Sequence, residues 1–96
     1  MTNAPLPLHP QVSEFVSVLE DLENLLHKHK SPYWASRIGK VRGIASKSDG
    51  FSIKLFFGYF GGMGSLNDLV LDAPNSVNDD LYKKLDLAYR LAKTLK

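Results

Sequence analysis

The chain reads as all-α: a single-domain bundle of about four helices, with a short third helix and a glycine-rich elbow before the last. Three observations predict this class. Apolar residues recur at helical spacing near both ends, as Val12, Phe15, Val16, Leu19, Leu22, Leu26 and again as Leu81, Leu85, Ala88, Leu91, Ala92, Leu95. Proline and glycine fall between these runs rather than inside them, at Pro10, Pro32, Gly50, Gly61-Gly62 and Pro74. The chain has 96 residues, 44% of them hydrophobic, which suffices for one core without disulfide or metal staples.

Residues 1–9 read as a proline-punctuated extended arm and 10–96 as the helical domain. Pro5 and Pro7 favour extended backbone, and Leu6 and Leu8 could lie across the bundle. The first helix begins near Pro10, which suits a first helical position. Glu14, Glu20, Asp21 and Glu23 precede Lys28 and Lys30, the order that the helix dipole favours. His27 and His29 are two apart, so they point to different sides of a helix and cannot chelate one metal together. No metal site and no cofactor is expected.

Ser31-Pro32 marks the next junction, with Ser31 as N-cap and Pro32 opening the second helix. Its apolar stripe is Trp34, Ile38, Val41 and Ala45, with Ile44 beside it. Gly39 and Gly43 each weaken a helix by about 1 kcal/mol relative to Ala, so close approach of another backbone is the expected reason for both. Gly39-Lys40 is not a phosphate loop, because the earlier glycine is missing and Val41 replaces Ser/Thr.

Residues 51–60 support two readings. Phe51, Ile53 and Leu55 alternate as in a strand, whereas Ile53, Phe56, Phe57 and Phe60 can share one helical face. An isolated strand would have no partner, and Asp49 is a fair cap, so a short, largely buried helix is favoured, stopping at Gly61-Gly62. After the Pro74 loop, the last helix starts near Ser76–Asp79, with Ser76 and Asp79 as a capping pair and Asn78 as an alternative cap.

The elbow itself, Gly61, Gly62, Met63, Gly64, Ser65, Leu66, Asn67 and Asp68, concentrates residues with special backbone roles. Glycine permits positive φ, while Ser65, Asn67 and Asp68 can accept from nearby backbone donors. It can be a structural turn, a recognition loop or an anion cradle; Asp68 and the lack of Lys or Arg argue against the last. As a structural turn it should bury Phe60 and Met63, with Ser65 and Asp68 capping the turn that follows. The run Phe60 to Leu71 resembles the F-G-G-M-G-S-x-N-D signature of an uncharacterised family of small bacterial helical proteins. The resemblance implies a helical first half, this signature and a C-terminal helix. Its size and class imply an immunity-type, toxin-neutralising role.

The formal net charge is only +2, but charge comes in blocks. Residues 1–23 carry four acids and no Lys or Arg, and 24–54 carry seven Lys/Arg against Asp49. Residues 55–82 carry four Asp, and 83–96 carry five Lys/Arg against Asp86. Such blocks can neutralise one another across a bundle or face a charged partner. The leading reading is a non-enzymatic protein-binding module, immunity-like, that plugs a toxin. Asp68, Asp72, Asp79, Asp80 and Tyr82 would meet a basic cleft, and Tyr33 or Tyr89 could also anchor. The alternative is a nucleic-acid-binding protein using the basic 28–47 stretch through Arg37, Lys40, Arg42 and Lys47, with Tyr33 and Trp34 among them.

Enzymatic chemistry is not expected: there is no H-E-x-x-H, no phosphate loop and no triad-like arrangement. Cysteine is absent, which removes thiolate chemistry and suits a reducing compartment. Residues 1–8 lack the basic and apolar regions of a signal peptide, and 53–60 is far shorter than the ~20 residues of a bilayer span. A cytoplasmic protein with no membrane partner is expected; the oligomeric state is left open.

Overall fold

Four α-helices and one 3-10 turn make up the chain in a computed structural model that describes residues 9–47, 49–61 and 64–95. The helices are α1 (Pro10–Lys28), α2 (Pro32–Ala45), α3 (Phe51–Phe57) and α4 (Asn75–Leu95), with the 3-10 turn at Leu66–Asp68 before α4. No strand occurs among the described residues, so the all-α bundle with a short third helix is the architecture. Residues 1–8, with Leu6 and Leu8, and the elbow positions Gly62 and Met63 lie outside the described residues. No described helix is long and apolar enough to cross a membrane.

The apolar periodicity becomes one core. From α1 come Phe15, Val18, Leu19, Leu22 and Leu26; from α2, Ala35, Ile38, Val41 and Ala45; from α3, Ile53 and Phe56; from α4, Leu81, Leu85, Ala88 and Ala92. Leu66 and Leu71 close it from the elbow side. α1 packs on both α2 and α4, and α3 bridges α2 and α4. The rings of Phe15 and Phe56 meet edge to face at 5.5 Å, a geometry that adds ~1 kcal/mol beyond burial.

Helix ends follow local chemistry, with departures from the sequence reading. At the start of α1, His9 Nδ1 accepts from the Gln11 N–H at 3.2 Å and caps the helix ahead of Pro10. α1 ends in a Schellman motif: Ser31 N–H donates to Leu26 C=O at 2.8 Å and Lys30 N–H to His27 C=O at 3.2 Å. The left-handed residue that this motif needs is Lys30, at φ 61°, not a glycine. Ser31 stands at the N-cap position of α2, but its side chain makes no capping bond. Its backbone completes the end of α1 instead.

The stripe of α2 is rotated by one residue at its start. Ala35 is buried with Ile38, Val41 and Ala45, while Trp34 is only half-buried at the edge. The expected backbone contact at the α2 glycines is also absent. A Cβ on Gly39 would meet the Glu23 carboxylate, with Oε2 2.7 Å away, and a Cβ on Gly43 would meet nothing within 4 Å. At 51–60 the helix prevails, because a lone strand has no ladder for its N–H and C=O groups. It ends at Phe57, earlier than Gly61, and Asp49 Oδ1 accepts from Phe51 N–H at 2.9 Å at its start.

Candidate functional site

The elbow is held by its own polar side chains acting backwards along the chain. Gly61 and Gly64 adopt φ 86° and 76°, in the left-handed region that disfavours side chains. Leu66 N–H donates to Tyr59 C=O at 2.8 Å, which closes the loop. Asn67 Oδ1 accepts from Gly61 N–H and Asp68 Oδ2 from Gly64 N–H, both at 3.2 Å, and the Ser65 hydroxyl donates to Asn67 Oδ1. Asp68 and Ser65 therefore do not cap the following turn as the capping pattern suggests. Asp68 and Asn67 instead satisfy donors of the preceding loop, and Ser65 holds Asn67. Phe60 is half-buried rather than buried: it packs on Phe56 at 5.0 Å and on Tyr89 at 5.1 Å.

The segment after the elbow is clamped to α4. Asn78 is no helix cap but a buried bracket. Its Oδ1 accepts from Leu71 N–H at 2.7 Å and its Nδ2 donates to Leu71 C=O at 3.0 Å, so one side chain replaces a strand partner for Leu71. α4 accordingly begins at Asn75, ahead of the Ser76–Asp79 start suggested by the capping residues. Tyr82 donates its hydroxyl to Leu69 C=O at 2.9 Å. Between these two clamps Val70 is 70% exposed, held out on a fixed loop.

Around Val70 the predicted carboxylates take different roles. Asp72 and Asp79 are exposed. Asp80 pairs with Lys84 at 2.7 Å, and Asp68 is turned onto Gly64. A shallow groove of about 520 Å³ runs beside Val70, walled by Leu69, Leu71 and Asp72 on one side and by Lys28, His29, Lys30 and Ser31 on the other. The groove thus has the Asp72 carboxylate on one wall and Lys28 and Lys30 on the other.

The predicted basic residues are also divided. Arg42 Nε donates to Glu23 Oε1 at 2.6 Å, and this hydrogen bond, with the charge of Glu23, raises the guanidinium pKa further above its ordinary value. The Arg37 guanidinium lies 3.6 Å above the Tyr33 ring, a cation–π contact. Lys40 and Lys47 are exposed. Tyr59 donates its hydroxyl to Arg37 C=O at 3.3 Å; burial pushes its pKa up, and the charge of Arg37 opposes that in part.

Sequence reasoning missed Asn78 as a bracket and the outward face of α3, where Phe51, Leu55 and Tyr59 lie four apart. The spacing was readable; which of two apolar faces would be covered was not. Among the described residues no three His, Asp or Glu side chains converge to hold a metal. A family model, described as a domain of unknown function (DUF6966), matches residues 27–79, which take in α2, α3, the elbow and the first residues of α4. No curated protein and no solved structure matches the chain.

Proposed function

The chain belongs to the DUF6966 family, and on that footing we propose that it is a non-enzymatic protein-binding module, immunity-like, which neutralises a bacterial toxin by direct binding in the cytoplasm. One observation carries this reading: Val70 is presented on a loop clamped from both sides by Asn78 and Tyr82, with the Asp72 carboxylate lining the groove beside it. An apolar residue held out by a rigid frame and rimmed by charge has the anatomy of a binding epitope. Pre-organisation of this kind lowers the entropy lost on association. Asp72 and Asp79 are exposed to steer a basic partner surface such as a nuclease cleft, and Asp80 and Tyr82 stand beside them on α4.

The test is capture of the partner with tagged protein from native cells, followed by association kinetics with the purified pair. The on-rate is expected to fall about tenfold or more between low and high salt, and Val70→Ser and Asp79→Asn should weaken binding. A flat salt response removes the steering, and unchanged affinity in both variants removes the epitope. Co-expression with a toxic domain encoded beside this chain should restore growth. Failure to restore it removes the immunity role and leaves protein binding standing.

Nucleic-acid binding through Arg37, Lys40, Arg42 and Lys47 is the lesser reading. Glu23 holds Arg42, and Arg37 rests on Tyr33, which leaves Lys40 and Lys47 as the exposed charges of that set. Titration with labelled DNA and RNA at low salt tests it, and absence of binding ends it.

A further inference from the structure

The outward face of α3 has no covering element among the described residues. Phe51 is 52% exposed, and with Leu55, Gly58 and Tyr59 it lines a groove of about 270 Å³. Ring contacts lead from it to the start of α2: the Tyr59 ring meets Trp34 at 5.7 Å, and Trp34 meets Tyr33 at 5.2 Å. Tyr33 is itself 58% exposed. Five large apolar or aromatic side chains therefore form one continuous strip, spanning α3 and the first turn of α2. Its two ends, Phe51 and Tyr33, are exposed apolar surface of the kind a partner can cover.

Its charge is one-sided. Lys54 lines the groove and Arg37 covers Tyr33, and neither makes an ion pair among the described residues. Between Glu23 and Asp68 the chain contains a single acid, Asp49, whose carboxylate already accepts from Phe51 N–H. The ring geometry selects the kind of occupant. Single-stranded nucleic acid stacks its bases on open ring faces. Here Tyr33 and Trp34 are 88° apart and Trp34 and Tyr59 73° apart, and Arg37 occupies one face of Tyr33. Such a surface offers ring edges and a groove, which suit aliphatic and aromatic side chains.

We propose that this strip, Phe51, Leu55, Tyr59, Trp34 and Tyr33 with Arg37 and Lys54 at its rim, docks an acidic segment of a partner protein that carries aliphatic or aromatic anchors. The site shares no lining residue with the groove beside Val70, so the chain would hold two partner surfaces at once.

Trp34 is the chain's only tryptophan and lies within the strip, so its emission reports occupancy directly. The experiment pans a random 16-residue peptide display library on the full chain and titrates the enriched peptides, made synthetically, against Trp34 fluorescence. Enriched peptides should be rich in Asp and Glu around Leu, Phe or Trp anchors. Phe51→Ser should weaken them about tenfold or more, and Arg37→Gln with Lys54→Gln should weaken them and flatten their salt dependence. Phe51 is half exposed, so Phe51→Ser should keep its melting temperature, and its circular dichroism confirms the fold. Val70→Ser and Asp79→Asn should leave peptide binding unchanged, which separates this site from the groove beside Val70. The proposal is overturned if no peptide is enriched, if enriched peptides are basic or neutral, or if Phe51→Ser binds them equally. It is also overturned if oligo-dT quenches Trp34 with comparable affinity, or if the strip proves to be a self-association face. The last would appear as a concentration-dependent dimer lost in Phe51→Ser.

Discussion

Glu23 on α1 lies across α2 where Gly39 has no side chain, and from there its Oε1 accepts from Arg42 Nε at 2.6 Å. The glycine and the ion pair are one device: the missing Cβ is the space that the carboxylate fills. The two helical glycines of α2 should therefore behave differently. Gly43→Ala meets nothing and gains the helix preference of alanine, about 0.5–1 kcal/mol of stability. Gly39→Ala gains the same preference but displaces the carboxylate. A part-exposed pair contributes up to about 1 kcal/mol, so the net change should be near zero or destabilising. In a Glu23→Ala background, Gly39→Ala should become stabilising. Urea midpoints of the wild type, Glu23→Ala, Gly39→Ala and the double variant close this cycle.

Lys30 holds the left-handed position that ends α1. For a residue with a side chain this conformation costs roughly 1–2 kcal/mol. Lys30→Gly should raise stability by about 1 kcal/mol, and Lys30→Val should lower it. Thermal melts give the sign, and a loss on Lys30→Gly would mean that the lysine side chain contributes more than its backbone costs.

Asn78 satisfies both backbone groups of buried Leu71. Asn78→Ala leaves a buried donor and acceptor unpaired and should cost about 2–6 kcal/mol, roughly 1–3 for each group. Asn78→Asp keeps the acceptor but buries a carboxylate oxygen against Leu71 C=O, so at neutral pH its loss should be at least as large. Hydrogen exchange at the Leu71 amide should accelerate in Asn78→Ala well beyond the global loss of stability.

Gly64 has positive φ and open space around its Cα. Strain and not collision then sets the cost: Gly64→Ala should destabilise by about 1–2 kcal/mol, Gly64→Val by more because of its β-branch, and Gly64→Asn least, since Asn tolerates this region. Equal losses for the Ala and Asn variants would show that φ is not the determinant.

Tyr59 should ionise above the ordinary tyrosine value of about 10, because burial disfavours the phenolate. Above the unfolded value the unfolded chain releases the proton while the folded one keeps it. Stability from this group is therefore full below pH ~10 and falls as pH rises toward the folded pKa. Absorbance at the phenolate band should show a late phase that Tyr59→Phe removes, and the stability of that variant should decline less above pH ~10.

The sequence by itself determined α1 and α4 and the core of their buried faces. Phe15, Leu19, Leu22 and Leu26 recur at helical spacing, as do Leu81, Leu85 and Ala88, and both sets are buried. Pro10 and Pro32 opened helices where a missing N–H costs nothing. These features are local, set by chain periodicity and backbone sterics within a few residues. What only the tertiary structure decided depends on neighbours distant in sequence. Asn78 reads as a helix cap until Leu71 is brought beside it, seven residues away and buried. Gly39 reads as a backbone contact until Glu23 arrives from α1. On α3 two apolar faces compete, and packing covers Ile53 and Phe56 while Phe51 stays exposed. The candidate partner surfaces are of this second kind. An exposed apolar residue has the same sequence signature as a buried one, and only the packing of the other helices tells them apart.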